Sequence, residues 1–189
     1  IVDHLPENTI MKSVDIAGPG FINFTLEPSS FQEVVRAVRD LGEEYGKSQL
    51  AVPCKVNLEY VSANPTGPMH VGHGRWAALG DSMARVMRHA GYAVDEEFYV
   101  NDEGNQMNVF ADSLVVRYQQ LLGEEVEMPE QSYGGAYVKD LAQVIVDADG
   151  DKWLFVDPDE RRQAFRDRGY AAMMESVRDT LELFGTQFD

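Results

Sequence analysis

Lys55-Val-Asn-Leu-Glu59-Tyr-Val-Ser62-Ala-Asn64-Pro-Thr-Gly-Pro-Met-His70-Val-Gly72-His73-Gly-Arg75 contains a strand, a turn-rich break and the opening of a helix. Val56, Leu58 and Tyr60 alternate with Asn57 and Glu59, the period of a half-buried strand, so 55–62 is read as one. Ala63 to Pro68 cannot continue it, because two prolines and a glycine break the ladder. Leu79, Met83, Val86, Met87 and Ala90 then recur at helical spacing over 72–90, with Gly91 as the stop, and 93–100 is a second strand. Strand, helix and strand in about 45 residues form a βαβ unit, which demands parallel strands and a right-handed crossover. The expected fold class is therefore α/β, with a parallel sheet and flanking helices.

On the N-terminal side, 10–16 and 21–26 read as strands about the turn Gly18-Pro-Gly20. Ile22, Phe24 and Leu26 share one face, and Asn23 and Thr25 the other. Ser30-Phe-Gln-Glu33 fits a capping box, followed by the stripe Phe31, Val34, Val35, Val38, Leu41 and Tyr45. This small α/β piece leads to a boundary near Gly46–Pro53. The division is placed at 1–50 and 51–189.

On the C-terminal side three helical patterns follow. The first, 106–122, carries Met107, Phe110, Leu114, Tyr118 and Leu121 as its stripe; the second is 137–148. The third opens on Asp157-Pro158, a cap residue before a proline at the first helical position, and runs through Phe165, Met174, Val177 and Leu181 to Gly185. Residues from about 123 to 157 are read as a helical insertion. Within it Asp147-Ala-Asp-Gly-Asp151 lacks the spaced ligands and later glutamate of a calcium loop.

The 189 residues carry 32 acidic and 16 basic side chains, a net charge of −16. Such a surface repels phosphate backbones, so weak or no nucleic-acid binding is expected of this piece alone. The charge is uneven: from Tyr60 to Gly80 there is no Asp or Glu, whereas His70, His73 and Arg75 lie inside that window. One cysteine, Cys54, excludes an internal disulfide and a multi-cysteine zinc site. It also suits a reducing cytoplasm. No apolar run is long enough to span a bilayer, so no membrane partner is expected.

The loop after the first strand offers specific chemistry. It lies at the carboxyl end of a strand and opens a helix, the place where open α/β sheets take ligands. A helix start presents unpaired N–H groups suited to phosphate. Gly72 and Gly74 let a nucleotide lie against the backbone, and His70 and His73 sit one turn apart.

His70-Val-Gly-His73 resembles the His-Ile-Gly-His signature of class I aminoacyl-tRNA synthetases. Its flanks, Glu59 to Pro68 and Tyr99-Val-Asn-Asp-Glu-Gly-Asn-Gln106, look like the arginyl-specific member of that class. Ala17-Gly-Pro-Gly-Phe-Ile-Asn23 resembles the end of that family's N-terminal domain. The resemblance implies a Rossmann-like catalytic half, 51–189, preceded by the C-terminal part of an additional domain, 1–50. It implies an aminoacyl-tRNA ligase that converts L-arginine and ATP to arginyl-adenylate and transfers it to tRNA(Arg). Mg2+ would accompany ATP, with no tightly bound cofactor and no structural metal. By the same resemblance His70, Gly72 and His73 contact ATP, with His70 and His73 catalytic. Glu59, Ser62, Asn64 and His73 hold arginine. Val71 replaces the usual Ile, a change taken as harmless because that side chain is expected in the core. The second signature loop, the rest of the arginine pocket and the anticodon-binding domain are expected beyond Asp189. The isolated piece is expected to fold, to be inactive and to bind ATP weakly.

Other readings apply to the same residues. Gly72-x-Gly74-x-x-Ala77 matches a dinucleotide fingerprint, which would make an NAD(P)-binding oxidoreductase domain. Against it, Ser62 and Gly72 are ten positions apart, whereas that fold needs its first glycine at the strand end. A histidine pair without a third ligand is a poor zinc site. Glu59 alone could be a solvated face residue. Asn101, Asp102 and Gln106 either cap the next helix or contact ligand. Trp76 and the methionines of its helix are read as core.

Overall fold

The structure is a computed structural model that describes residues 1–48 and 54–189. The chain separates into two compact units, Ile1–Gln49 and Leu50–Asp189. The boundary expected near Gly46–Pro53 falls largely on residues 49–53, outside the described residues.

In the first unit, β1 (Met11–Ala17) and β2 (Phe21–Leu26) form an antiparallel hairpin with Ala17 opposite Phe21 and Met11 opposite Leu26. The turn expected at Gly18-Pro-Gly20 is present, with Gly18 and Gly20 at positive φ. Helix α1 (Pro28–Leu41) starts earlier than expected. Pro28, with φ already set for a helix, takes its first turn, and Glu27 is the N-cap. The Ser30–Glu33 capping box therefore does not form; Ser30 Oγ donates instead to the Glu27 carbonyl, 2.6 Å away.

The second unit is built on β3 (Lys55–Glu59) and β4 (Ala93–Glu97), paired in parallel with Lys55 opposite Ala93 and Glu59 opposite Glu97. Helix α2 (Val71–His89) is the crossover, so the βαβ unit stands as read. Both strands stop short of the expected 62 and 100, because the chain turns sharply after Tyr60.

Helices α3 (Asn105–Leu121), α4 (Ala136–Asp149) and α5 (Pro158–Phe184) follow. α3 is the centre of this body. Met107, Phe110, Leu114 and Tyr118 are buried against Val138, Ala142 and Ile145 of α4, Trp153, and Phe165 and Met173 of α5. Asp157 caps α5 as predicted, accepting from the backbone N–H groups of Asp159 and Glu160. At 27 residues α5 is about 40 Å long, which lets it serve two cores. Its second half sends Val177 and Leu181 against Ala77 of α2, with Val61, Met69, Phe98 and Phe188 around them.

Two expectations for α2 fail. The side chains it buries are Ala77 and Ala84, with Gly80 between them, whereas Leu79, Met83 and Val86 are exposed and Trp76 is 55% exposed. The reason is steric: the Tyr60 ring lies so close that only a residue without a side chain fits opposite it, at Gly80. The small-residue face packs, and the large apolar stripe turns away. Val71 is likewise not in the core but 91% exposed, as the first residue of α2.

Candidate functional site

The site begins where β3 ends. Tyr60 N still donates to the Glu97 carbonyl at 3.2 Å, but Ser62 N turns back to the Tyr60 carbonyl at 2.9 Å. That closes a three-residue turn with Val61 at φ 66°, and Ser62 follows at φ 38°. This is the rare form of γ-turn, and a β-branched residue in it is a true outlier. Such strain costs on the order of 1–3 kcal/mol per residue and persists only where surrounding contacts fix it. Here the turn folds Ser62 back on the strand end: its hydroxyl donates to Glu59 Oε1 at 2.8 Å and accepts from Tyr99 N at 3.1 Å.

Beneath the turn lies a buried polar group. Tyr60 donates its phenol to Glu96, and Arg88 also bonds Glu96 and reaches the Val94 carbonyl at 2.9 Å. Glu96 is 6% exposed, so these partners are what allow its burial. Burial first, then the bond to Glu96, push the Tyr60 phenol well above its ordinary value of 10.0. Because the folded pKa exceeds the unfolded one, this contribution to stability is full below about pH 10 and falls as pH rises further. Chemical unfolding at rising pH should show the loss in wild type and a clearly smaller one in Tyr60→Phe.

The chain then runs through Ala63, Pro65 and Thr66, all buried. Thr66 N turns back to the Asn64 carbonyl at 2.8 Å, and Asn64 Nδ2 donates to Gln106 Oε1 at 2.6 Å. Asn101, Asp102 and Gln106 do not cap α3, whose N-cap is Gly104 without a side-chain bond. The Asp102 carbonyl instead accepts from Arg166 of α5 at 2.8 Å.

At the start of α2 the two histidines cap the helix reciprocally. His70 Nδ1 accepts from Gly72 N at 3.1 Å, and His73 Nδ1 accepts from His70 N at 3.3 Å. The rings stack with centroids 3.8 Å apart and planes 15° apart. With both Nδ1 atoms accepting, each neutral ring carries its proton on Nε2, which makes Nε2–H the free donor. Burial, then the neighbouring His70, lower the pKa of His73 and favour that neutral form. A Cβ on Gly72 would lie 2.8 Å from His70 Cε1, so glycine is needed for His70 to fold back over the turn.

The sequence-predicted residues thus form three contacts rather than one network. Glu59 binds Ser62; Asn64 binds Gln106; His70, Gly72 and His73 share one helical turn. Among the described residues no hydrogen bond joins the strand end to the histidines. Sequence reasoning missed Tyr60, Glu96, Arg88 and Arg166 as supports, and Tyr137, which bonds the Thr66 carbonyl at 2.7 Å. The only signal for the last was a glycine pair between tyrosines, Tyr133-Gly-Gly-Ala-Tyr137, inside the connector.

A parallel βαβ unit whose crossover helix starts on a His-x-Gly-His turn, eleven positions past the strand end, is not the tight strand-to-helix glycine turn of a dinucleotide site. A family model described as "tRNA synthetases class I (R), catalytic domain" matches residues 37–152. One described as "Arginyl tRNA synthetase N terminal domain" matches residues 1–26. Fold and match define a class I aminoacyl-tRNA synthetase catalytic domain. Within that class, the chain belongs to the arginyl-tRNA synthetase family. The arginine–tRNA ligase of Micrococcus luteus is 43% identical over all 189 residues, and that of Caldanaerobacter subterraneus subsp. tengcongensis 42% over 181 residues, or 96% of the chain. The chain spans 33% and 32% of those two proteins, about a third of their length. A solved structure from Campylobacter jejuni, assigned as an arginyl-tRNA synthetase, is 34% identical with a TM-score of 0.75, covering 87% of this chain and 36% of that one. No described helix is long and apolar enough to cross a membrane.

Proposed function

We propose that residues 59–75 form the ATP-facing half of an arginine–tRNA ligase active site. In that reading the intact protein joins L-arginine to ATP as arginyl-adenylate and passes the arginyl group to tRNA(Arg) in the cytoplasm. The carrying observation is the reciprocal histidine cap: two Nε2–H donors beside the Val71 and His73 N–H groups at the start of α2, in a window, Tyr60 to Gly80, free of carboxylates. When the arginine carboxylate attacks the α-phosphorus and pyrophosphate leaves, charge accumulates on the α-phosphate oxygens. Donors fixed beforehand stabilise it without reorganisation. His70 and His73 take that role, and Gly72 lets the nucleotide base lie against the turn. Glu59, tied to Ser62, supplies the carboxylate for a cationic substrate group, and Asn64 flanks it. Mg2+ would enter with the triphosphate, ligated by phosphate oxygens and water; among the described residues no three His, Cys, Asp or Glu side chains gather as a metal site. On domains, residues 1–50 are proposed as the end of the additional N-terminal domain and 51–189 as the catalytic half, with 123–157 as its helical insertion. With its net charge of −16 the chain alone should hold tRNA weakly.

Ring NMR of the four histidines tests the nucleotide reading. MgATP should move the His70 and His73 signals and leave His4 and His89 in place, and NADH should move none. Silence with MgATP, or an equal response to NADH, rejects the site.

A further inference from the structure

Tyr137 lies 71 positions from the loop it touches. Its ring occupies a seat made by two glycines. A Cβ on Gly135 would fall 2.4 Å from its Cε1, and one on Gly67 would fall 3.0 Å from its hydroxyl oxygen. On its other side the ring stacks at 6.3 Å on Phe110, a buried residue of α3. So seated, the phenol donates to the Thr66 carbonyl at 2.7 Å. Among the described residues this is the only side-chain hydrogen bond onto the backbone of 63–69. The loop has few alternatives: Pro65 and Pro68 lack N–H groups, Pro65 is fully buried, and Thr66 N is used by Asn64. Three residues separate Thr66 from the His70 N-cap, so a shift at Thr66 passes directly into the histidine turn.

We propose that Tyr137 is a positioning residue for the nucleotide site, coupling the helical body to the aim of His70 and His73. The functional half of this inference rests on the reading of residues 59–75 as that site. Tyr137→Phe keeps the ring in its seat and removes the bond, leaving a partly buried carbonyl without its donor. Tyr118→Phe is the matched control. It deletes a buried hydroxyl of the same helical body, one that donates to the Gly150 carbonyl at 2.7 Å and accepts from Trp153 N at 3.2 Å, with no bond to the loop.

The test records histidine ring NMR signals and MgATP titrations of the wild-type chain and both variants. Tyr137→Phe should move the His70 and His73 signals, carry the His73 titration midpoint up toward the ordinary histidine value, and weaken MgATP about tenfold, the loss of one modest bond. Tyr118→Phe should lower the melting temperature without moving either histidine. If Tyr137→Phe leaves both histidines unmoved, or Tyr118→Phe moves them as far, the proposal is wrong. Should Tyr137→Phe not fold, Gly67→Ala, which keeps the phenol but crowds its seat, must produce the same histidine shifts. If MgATP moves no signal in wild type, the nucleotide reading fails, while the ring shifts still decide whether Tyr137 positions the turn.

Discussion

Replacing His73 or His70 with Ala in an enzyme of full family length that carries this segment should slow adenylate formation by about 10²–10³-fold, the scale of losing one fixed donor to a developing oxyanion. Each alanine also removes a cap, which by itself costs about 1 kcal/mol of helix stability. The two effects separate at position 70. His70→Ser restores an acceptor for Gly72 N, because serine is a favoured N-cap, but it has no ring N–H to reach a phosphate. Both variants should therefore lose the same catalytic factor, while Ser recovers the melting temperature that Ala loses. Pyrophosphate exchange and thermal unfolding measured together check this. A serine variant within a factor of three of the wild-type rate would mean that His70 is a cap and nothing more.

The legible parts of this chain are those where one element faces one core. Met107, Phe110, Leu114 and Tyr118 recur at helical spacing and are all buried, because α3 packs along its length between α4 and α5. The strand alternation at 56–60 held for the same reason: Val56, Leu58 and Tyr60 turn inward and Asn57 and Glu59 outward. Helix α2 misled because its apolar stripe and its packed face differ. The side chain that dictates its packing, Tyr60, belongs to another element, and only Gly80 marked the contact in sequence. The γ-turn had no signal at all, since valine is among the last residues that propensity would place at positive φ. The histidine cap was invisible for a different reason. The pattern suggests two phosphate donors, but that each Nδ1 is already committed to a backbone N–H is a fact of geometry. Tyr137 and Arg166 act across 71 and 64 positions, beyond any local pattern.

The same substitution made twice in one helix should act in opposite directions. Gly80 and Gly74 both lie in α2, where alanine is intrinsically favoured over glycine by about 1 kcal/mol. At Gly74 a Cβ meets nothing within 4 Å, so Gly74→Ala should stabilise the fold by up to about that amount. At Gly80 the Cβ would lie 2.2 Å from Tyr60 Cγ and 2.3 Å from Cδ2, at the root of the ring rather than its free end. The ring cannot swing aside cheaply, because its hydroxyl is held by the buried Glu96 and its face rests on Phe188 with centroids 4.6 Å apart. Overpacking of this kind costs about 1–3 kcal/mol, and a strained Tyr60–Glu96 bond adds about 1 kcal/mol more. The clash therefore outweighs the helix gain, leaving a net loss of about 2 kcal/mol, or about 4–8 °C in melting temperature for a chain of this size. Because Val61 follows Tyr60 directly, the displaced ring should also disturb the turn that brings Ser62 to Glu59. Tyr60→Ala, introduced beside Gly80→Ala, removes Cγ and the whole ring and should make the glycine substitution less costly than it is alone. Thermal unfolding of Gly74→Ala, Gly80→Ala, Tyr60→Ala and the Tyr60→Ala/Gly80→Ala pair decides it. Equal melting temperatures for the two single glycine variants would show that Tyr60 does not hold α2 at this distance.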